Sequence, residues 1–158
     1  MPRLPRSLAL AGLLALTSPL LQAEDRLRAP VGLEAGVAAI MDAIDWNTAE
    51  VIELTLGDHS YDPPDLVLER NQPYILRLRN EGRVSHDMVG GSFFSGVAIK
   101  MAQNAAGRVI TPVLKSVYIK RGQQMEMWLV PIRAGRYSFF CSIDDHRQLG
   151  MEGEITIR

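Results

Sequence analysis

The segment Cys141-Ser142-Ile143-Asp144-Asp145-His146-Arg147-Gln148-Leu149-Gly150-Met151 sets a thiol, an imidazole and a thioether five residues apart in turn, a C-x4-H-x4-M pattern. A loop of that length can fold back so that its three side chains converge, with a strand end fixing each foot. A soft thiolate with neutral imidazoles in a trigonal set, and a weak thioether along the axis, is a donor combination suited to copper. Zinc accepts thiolate and imidazole, but a thioether fourth ligand is unusual for it.

A second imidazole must come from elsewhere, and only His59 and His86 remain. His86 is the better candidate, because it follows the Asn80-Glu81-Gly82 turn and can end a strand beside the Cys141 loop. His59 lies in Gly57-Asp58-His59-Ser60, the composition of an exposed turn. Met88 shares a strand face with His86 and is an alternative axial donor, although core filling is the preferred reading for it. Met101, Met125 and Met127 read as core or loop packing.

Cys141 is the single cysteine of the 158 residues, so no internal disulfide can form. It is an inert buried thiol, half of an intermolecular bond, or a ligand. A binuclear copper centre of the oxidase type would need a second cysteine. Nothing else in the chain suggests catalysis: there is no Ser-His-Asp arrangement and no phosphate-binding glycine loop. The expectation is that the chain is not an enzyme.

The elements that must position these donors follow a clear order. Residues 1–23 carry Arg3 and Arg6, an apolar run from Leu8 to Leu16, and Leu21-Gln22-Ala23 before Glu24-Asp25, which reads as a secretory signal cleaved after Ala23. The run is too short to span a bilayer, so no stable membrane insertion is expected. The remainder holds 15 basic and 18 acidic residues, a formal charge of −3 that gives no support for nucleic-acid binding.

Residues 24–50 form an N-terminal extension in which Leu33, Val37, Ile40 and Ile44 recur at helical spacing. From Val51 the period becomes two. Ile52, Leu54 and Leu56 alternate with polar neighbours, and the same pattern returns at Leu66 and Leu68, Tyr74 to Leu78, Val117 and Ile119, Met125 to Leu129, Tyr137 to Cys141, and Ile155 and Ile157. About seven short strands separated by Gly, Pro and Asn turns predict an all-β, Greek-key antiparallel β-sandwich over residues 51–158. The stretch from Gly90 to Pro112 is long for a loop, and Phe94 to Asn104 is expected to hold a helical turn or two.

From Val51 to Arg158 the chain resembles the blue copper, or cupredoxin, family. The resemblance rests on His86 in a His-Asp pair after a strand, on Gly135-Arg136-Tyr137-Ser138-Phe139-Phe140-Cys141 leading into the loop, and on Cys141, His146 and Met151 with Gly150 and Gly153 around them. It implies a sandwich of seven or eight strands with one mononuclear type 1 copper ion at one end, held by His86, Cys141, His146 and axial Met151. It further implies a carrier of single electrons, and with the signal segment the expectation is an exported monomer that acts between redox partner proteins. A copper-binding and delivery protein of the periplasm, serving copper homeostasis, is the alternative. Asp144-Asp145 before the histidine and the length of Gly90–Pro112 depart from the family's better-known pattern.

Overall fold

The computed structural model describes residues 31–110 and 114–158; the expected signal segment lies outside them. A helix α1 (Val31–Ala43) and a short 3₁₀ turn (Trp46–Thr48) precede eleven strands. The strands are β1 (Glu50–Leu56), β2 (Tyr61–Asp62), β3 (Asp65–Leu68), β4 (Tyr74–Asn80), β5 (His86–Val89), β6 (Val97–Asn104), β7 (Gly107–Val109), β8 (Ser116–Ile119), β9 (Gln124–Pro131), β10 (Gly135–Phe140) and β11 (Glu152–Ile157). One helical turn, α2 (Gly91–Phe94), links β5 to β6. None of the described helices is long and apolar enough to cross a membrane.

Two sheets form the expected sandwich. One has the order β2-β1-β4-β9-β6-β7 and the other β3-β11-β10-β5-β8. Most pairings are antiparallel, but β1 runs parallel to β4 and β3 parallel to β11. The β1–β4 pair follows from the chain's leaving that sheet after β2 and returning to it at β4. A strand that returns to its first sheet after such a crossover can align with the earlier one instead of turning back along it.

The alternation read in the sequence fixes which side of each strand is buried. In β4, Tyr74, Leu76, Leu78 and Asn80 point inward; in β10, Tyr137 and Phe139 do. They meet Leu54, Leu56, Leu66, Leu68, Met127, Leu129, Ile155 and Ile157 in one core that also contains Cys141 and Met151. Tyr61 stands edge-on to Phe139, with ring centroids 4.8 Å apart. A fully buried aromatic of this kind stabilises the fold by about 3–5 kcal/mol relative to alanine. The N-terminal extension is held through Trp46, whose ring lies 5.6 Å from that of Trp128, with the Lys100 ammonium 4.6 Å from the Trp46 ring.

The helical turns expected within Phe94–Asn104 are corrected to a strand, since only Gly91–Phe94 is helical and Val97–Asn104 is β6. The pairing of β6 with β9 shifts register between Ile99 and Met101, leaving Lys100 as an extra residue. Val97, Ala98 and Ile99 are buried in succession before the bulge and Met101 and Ala102 after it, so both faces of this part of β6 are covered and its spacing does not read as a half-buried strand.

Candidate metal centre

His86 is the first residue of β5, and the turn before it is built around the buried amide of Asn80. Asn80 Nδ2 donates to the carbonyls of Val84 and Ile119, each at 2.9 Å, and its Oδ1 accepts the Gly82 N–H at 2.9 Å. The N–H groups of Glu81 and Gly82 both donate to the Leu56 carbonyl. This fixed turn delivers His86 into register opposite Ile119 of β8. It also needs a glycine at position 82, where a Cβ would stand 2.5 Å from His86 Nε2.

Residues 141–151 connect β10 to β11, whose last pair before the loop is Phe140 with Glu152. The Cys141 N–H donates to the Met151 carbonyl at 3.0 Å and closes the base of the loop. Inside it, the N–H of His146 donates to Ile143, that of Leu149 to Asp145, that of Gly150 to Arg147, and that of Met151 to His146. Asp144 has φ of 45° and Gly150 φ of 101°. Aspartate tolerates the left-handed region better than most residues, which suits the Asp144-Asp145 pair to this turn.

These two segments bring His86, Cys141 and His146 together. Cys141 Sγ lies 3.5 Å from His146 Nδ1 and 3.9 Å from His86 Nδ1. The imidazole rings of His86 and His146 are 4.9 Å apart, and one donor atom from each of the three residues falls within 4.8 Å of the others. Donor bonds of about 2 Å at trigonal angles place neighbouring donor atoms roughly 3.5 Å apart, close to these separations. The geometry and the chemistry of the donor set therefore fit a copper ion. Among the described residues His86 Nε2 has no hydrogen-bond partner, so Nδ1, on the sulfur side, is the engaged nitrogen of that ring.

Burial sets the character of the site. Cys141, His86 and Met151 are 0 % exposed, while His146 keeps 6 % on the solvent side. Burial pushes the Cys141 thiol above the ordinary value. Burial, then the neighbouring His146, pulls His86 below the usual histidine value, which keeps its ring a neutral donor. Met151 is placed by backbone bonds to both Cys141 and His146, and Met88 is fully buried in the core cluster, as expected for packing. His59 stays outside the three-donor cluster on an exposed turn, but its ring meets that of His146 edge-on at 5.3 Å.

The aspartate of the His-Asp pair makes contacts that the sequence reading did not assign. Asp87 is buried, and its carboxylate accepts the Ser142 N–H at 2.7 Å and the Ser142 hydroxyl at 2.6 Å. Its backbone carbonyl accepts the buried Tyr61 hydroxyl at 2.6 Å. The signal was the charged residue between His86 and Met88 in a stretch that otherwise reads as core, since such a residue needs partners.

Comparison with known proteins agrees with this fold. The family model described as "Cupredoxin-like domain" matches residues 33–157, taking in most of α1 as well as both sheets. No match is found among curated proteins. Among solved structures, a reduced auracyanin from the photosynthetic bacterium Roseiflexus castenholzii is similar over 70 % of this chain and 98 % of its own, at 18 % identity and a TM-score of 0.50. A multicopper oxidase from Campylobacter jejuni aligns with 73 % of this chain at 11 % identity and a TM-score of 0.54. One from Pseudomonas thermotolerans aligns with 72 % at 18 % identity and a TM-score of 0.56. The chain spans about a third of each oxidase, 31 % in both cases. At these identities the likeness is one of fold.

Proposed function

The chain belongs to the cupredoxin-like family, and from that premise we propose that it is an exported type 1 (blue) copper protein that passes single electrons between redox partner proteins. One observation carries the reading: two imidazole Nδ1 atoms face one thiol sulfur at 3.5 and 3.9 Å in a buried pocket of the sandwich. His86, Cys141 and His146 would hold the ion, with Met151 as the weak axial donor. Copper, when bound, supplies the one-electron change.

The chain's own residues hold the donors still and keep water out. His86 is fixed by the Asn80 turn, Cys141 by its bond to Met151, and the two segments are joined through Asp87 and Ser142. A site held from both sides changes little on electron gain or loss. His146, the most exposed of the four, is the natural exit for the electron, beside Leu149, which is 53 % exposed. A role without catalysis, as a monomer exported by the segment 1–23, belongs to the same proposal.

Delivery of copper to another protein is the second reading, favoured by the exposed His59 imidazole against His146. Voltammetry of the copper-loaded chain, with a chelator challenge, separates the two. Electron transfer predicts a reversible one-electron couple and copper retained against the chelator. A labile, colourless, cuprous-preferring ion would overturn it in favour of delivery.

A further inference from the structure

His59 is the one histidine left over by the copper-binding reading, and its position raises the question of how an ion reaches donors that are closed to solvent. Cys141 and His86 have no exposed surface and His146 has 6 %. His59 is exposed, and it is the remaining imidazole of a chain with three. The rings are spaced 5.3 Å from His59 to His146 and 4.9 Å from His146 to His86. The exposed ring and the buried ring both lie against that of His146, whose Nδ1 is 3.5 Å from the thiol sulfur.

The turn that carries His59 is fixed against the ligand-bearing part of the fold. The Gly57 N–H donates to the Ser60 carbonyl at 2.9 Å. The Asp58 carboxylate accepts the Arg83 backbone N–H and Nε, each at 2.6 Å, which ties the turn to residues three positions ahead of His86. A turn held this way keeps an exposed imidazole beside His146 whether or not an ion is present.

We propose that His59 is a capture ligand: an incoming copper ion is first held between His59 and His146, then passes to His86 and Cys141 while His59 lets go. This rests on the reading that the buried cluster binds copper. Each step exchanges one donor for another, first water for imidazole and then the His59 imidazole for the inner donors. No electron moves, and the Cys141 thiol gives its proton to solvent as the sulfur binds. Neutral imidazole is a good donor for copper, and a donor tethered beside the site raises the local concentration of the ion there.

The test is the rate at which the copper-free full chain develops its blue absorption on mixing with cupric chloride at fixed pH. His59→Ala should load roughly tenfold or more slowly than the unaltered chain, the scale of gain a tethered first contact gives. Its final spectrum and one-copper stoichiometry should be unchanged. His59→Glu, which retains a donor that cupric ion accepts, should load faster than His59→Ala. Loading of His59→Ala as fast as the unaltered chain, or faster, would show the ring to be at most a lid and overturn the proposal. A changed final spectrum would place His59 in the resting site and overturn it as well. Failure of the unaltered chain to bind copper would instead bring down the copper reading itself.

Discussion

Asp87 and Ser142 join the two halves of the candidate metal centre, because the carboxylate of the residue after His86 accepts both the N–H and the hydroxyl of the residue after Cys141, at 2.7 and 2.6 Å. The donors on β5 and on the β10–β11 loop are therefore positioned together. Asp87→Ala leaves the Ser142 N–H without its acceptor and should lower unfolding stability by about 1–3 kcal/mol, measurable by denaturant titration. Asp87→Asn keeps an acceptor and removes the charge. It should raise the copper reduction potential, since a nearby carboxylate favours the more highly charged oxidation state; an unchanged or lower potential would contradict the account.

Gly82 tests the placement of His86. A methyl group at this position meets Nε2 at 2.5 Å and Asp58 Oδ1 at 3.2 Å, so Gly82→Ala must move the ring or the turn. The expected outcome is a weaker copper complex with an altered visible spectrum, in a protein destabilised by about 1–3 kcal/mol. An unshifted spectrum would show that the turn does not set the ring.

Asn80 makes a broader claim on the same turn. Asn80→Ala removes the amide donor from the Val84 and Ile119 carbonyls and leaves the Gly82 N–H with the Leu56 carbonyl alone. The loss should be at least about 2 kcal/mol in thermal or denaturant unfolding. Hydrogen exchange should also rise at residues 81–86 before it rises in β9.

The direction of the pH dependence follows from Cys141. Burial raises the thiol above its ordinary value, so the copper-free fold carries a proton there at neutral pH that copper binding must release. Copper affinity should therefore increase about tenfold per pH unit through the neutral range. His86, held below the usual histidine value, remains neutral there and adds no second proton. For the copper-free chain the sign is opposite: a raised thiol contributes stability that is complete below the unfolded value and lost as pH rises through the folded one. Competition titrations through the neutral range check the first slope, and urea melts at pH values above the ordinary thiol value check the second.

Most strands and the candidate ligands of the loop could be picked out in the sequence because each has a strong local signature. Two-residue alternation marks β1, β4 and β10, and the lone cysteine followed by histidine and methionine marks the loop. Strand β6 escaped because it is buried on both faces and so lacks the two-residue alternation, and the parallel pairings escaped because crossovers between sheets leave no mark on spacing. Asp87, Asn80 and His59 were not assigned because their roles depend on partners 55, 39 and 87 positions away, Ser142, Ile119 and His146, which only the folded chain brings close.

The central claim is that His86, Cys141 and His146 share one copper ion, and the most direct measurement is the absorption spectrum, with metal analysis, of the copper-treated chain beside its Cys141→Ser variant. The account predicts one copper per chain and a strong band near about 600 nm that disappears in the variant. A chain that takes up no copper, or a variant that keeps the same copper and the same spectrum, would contradict it.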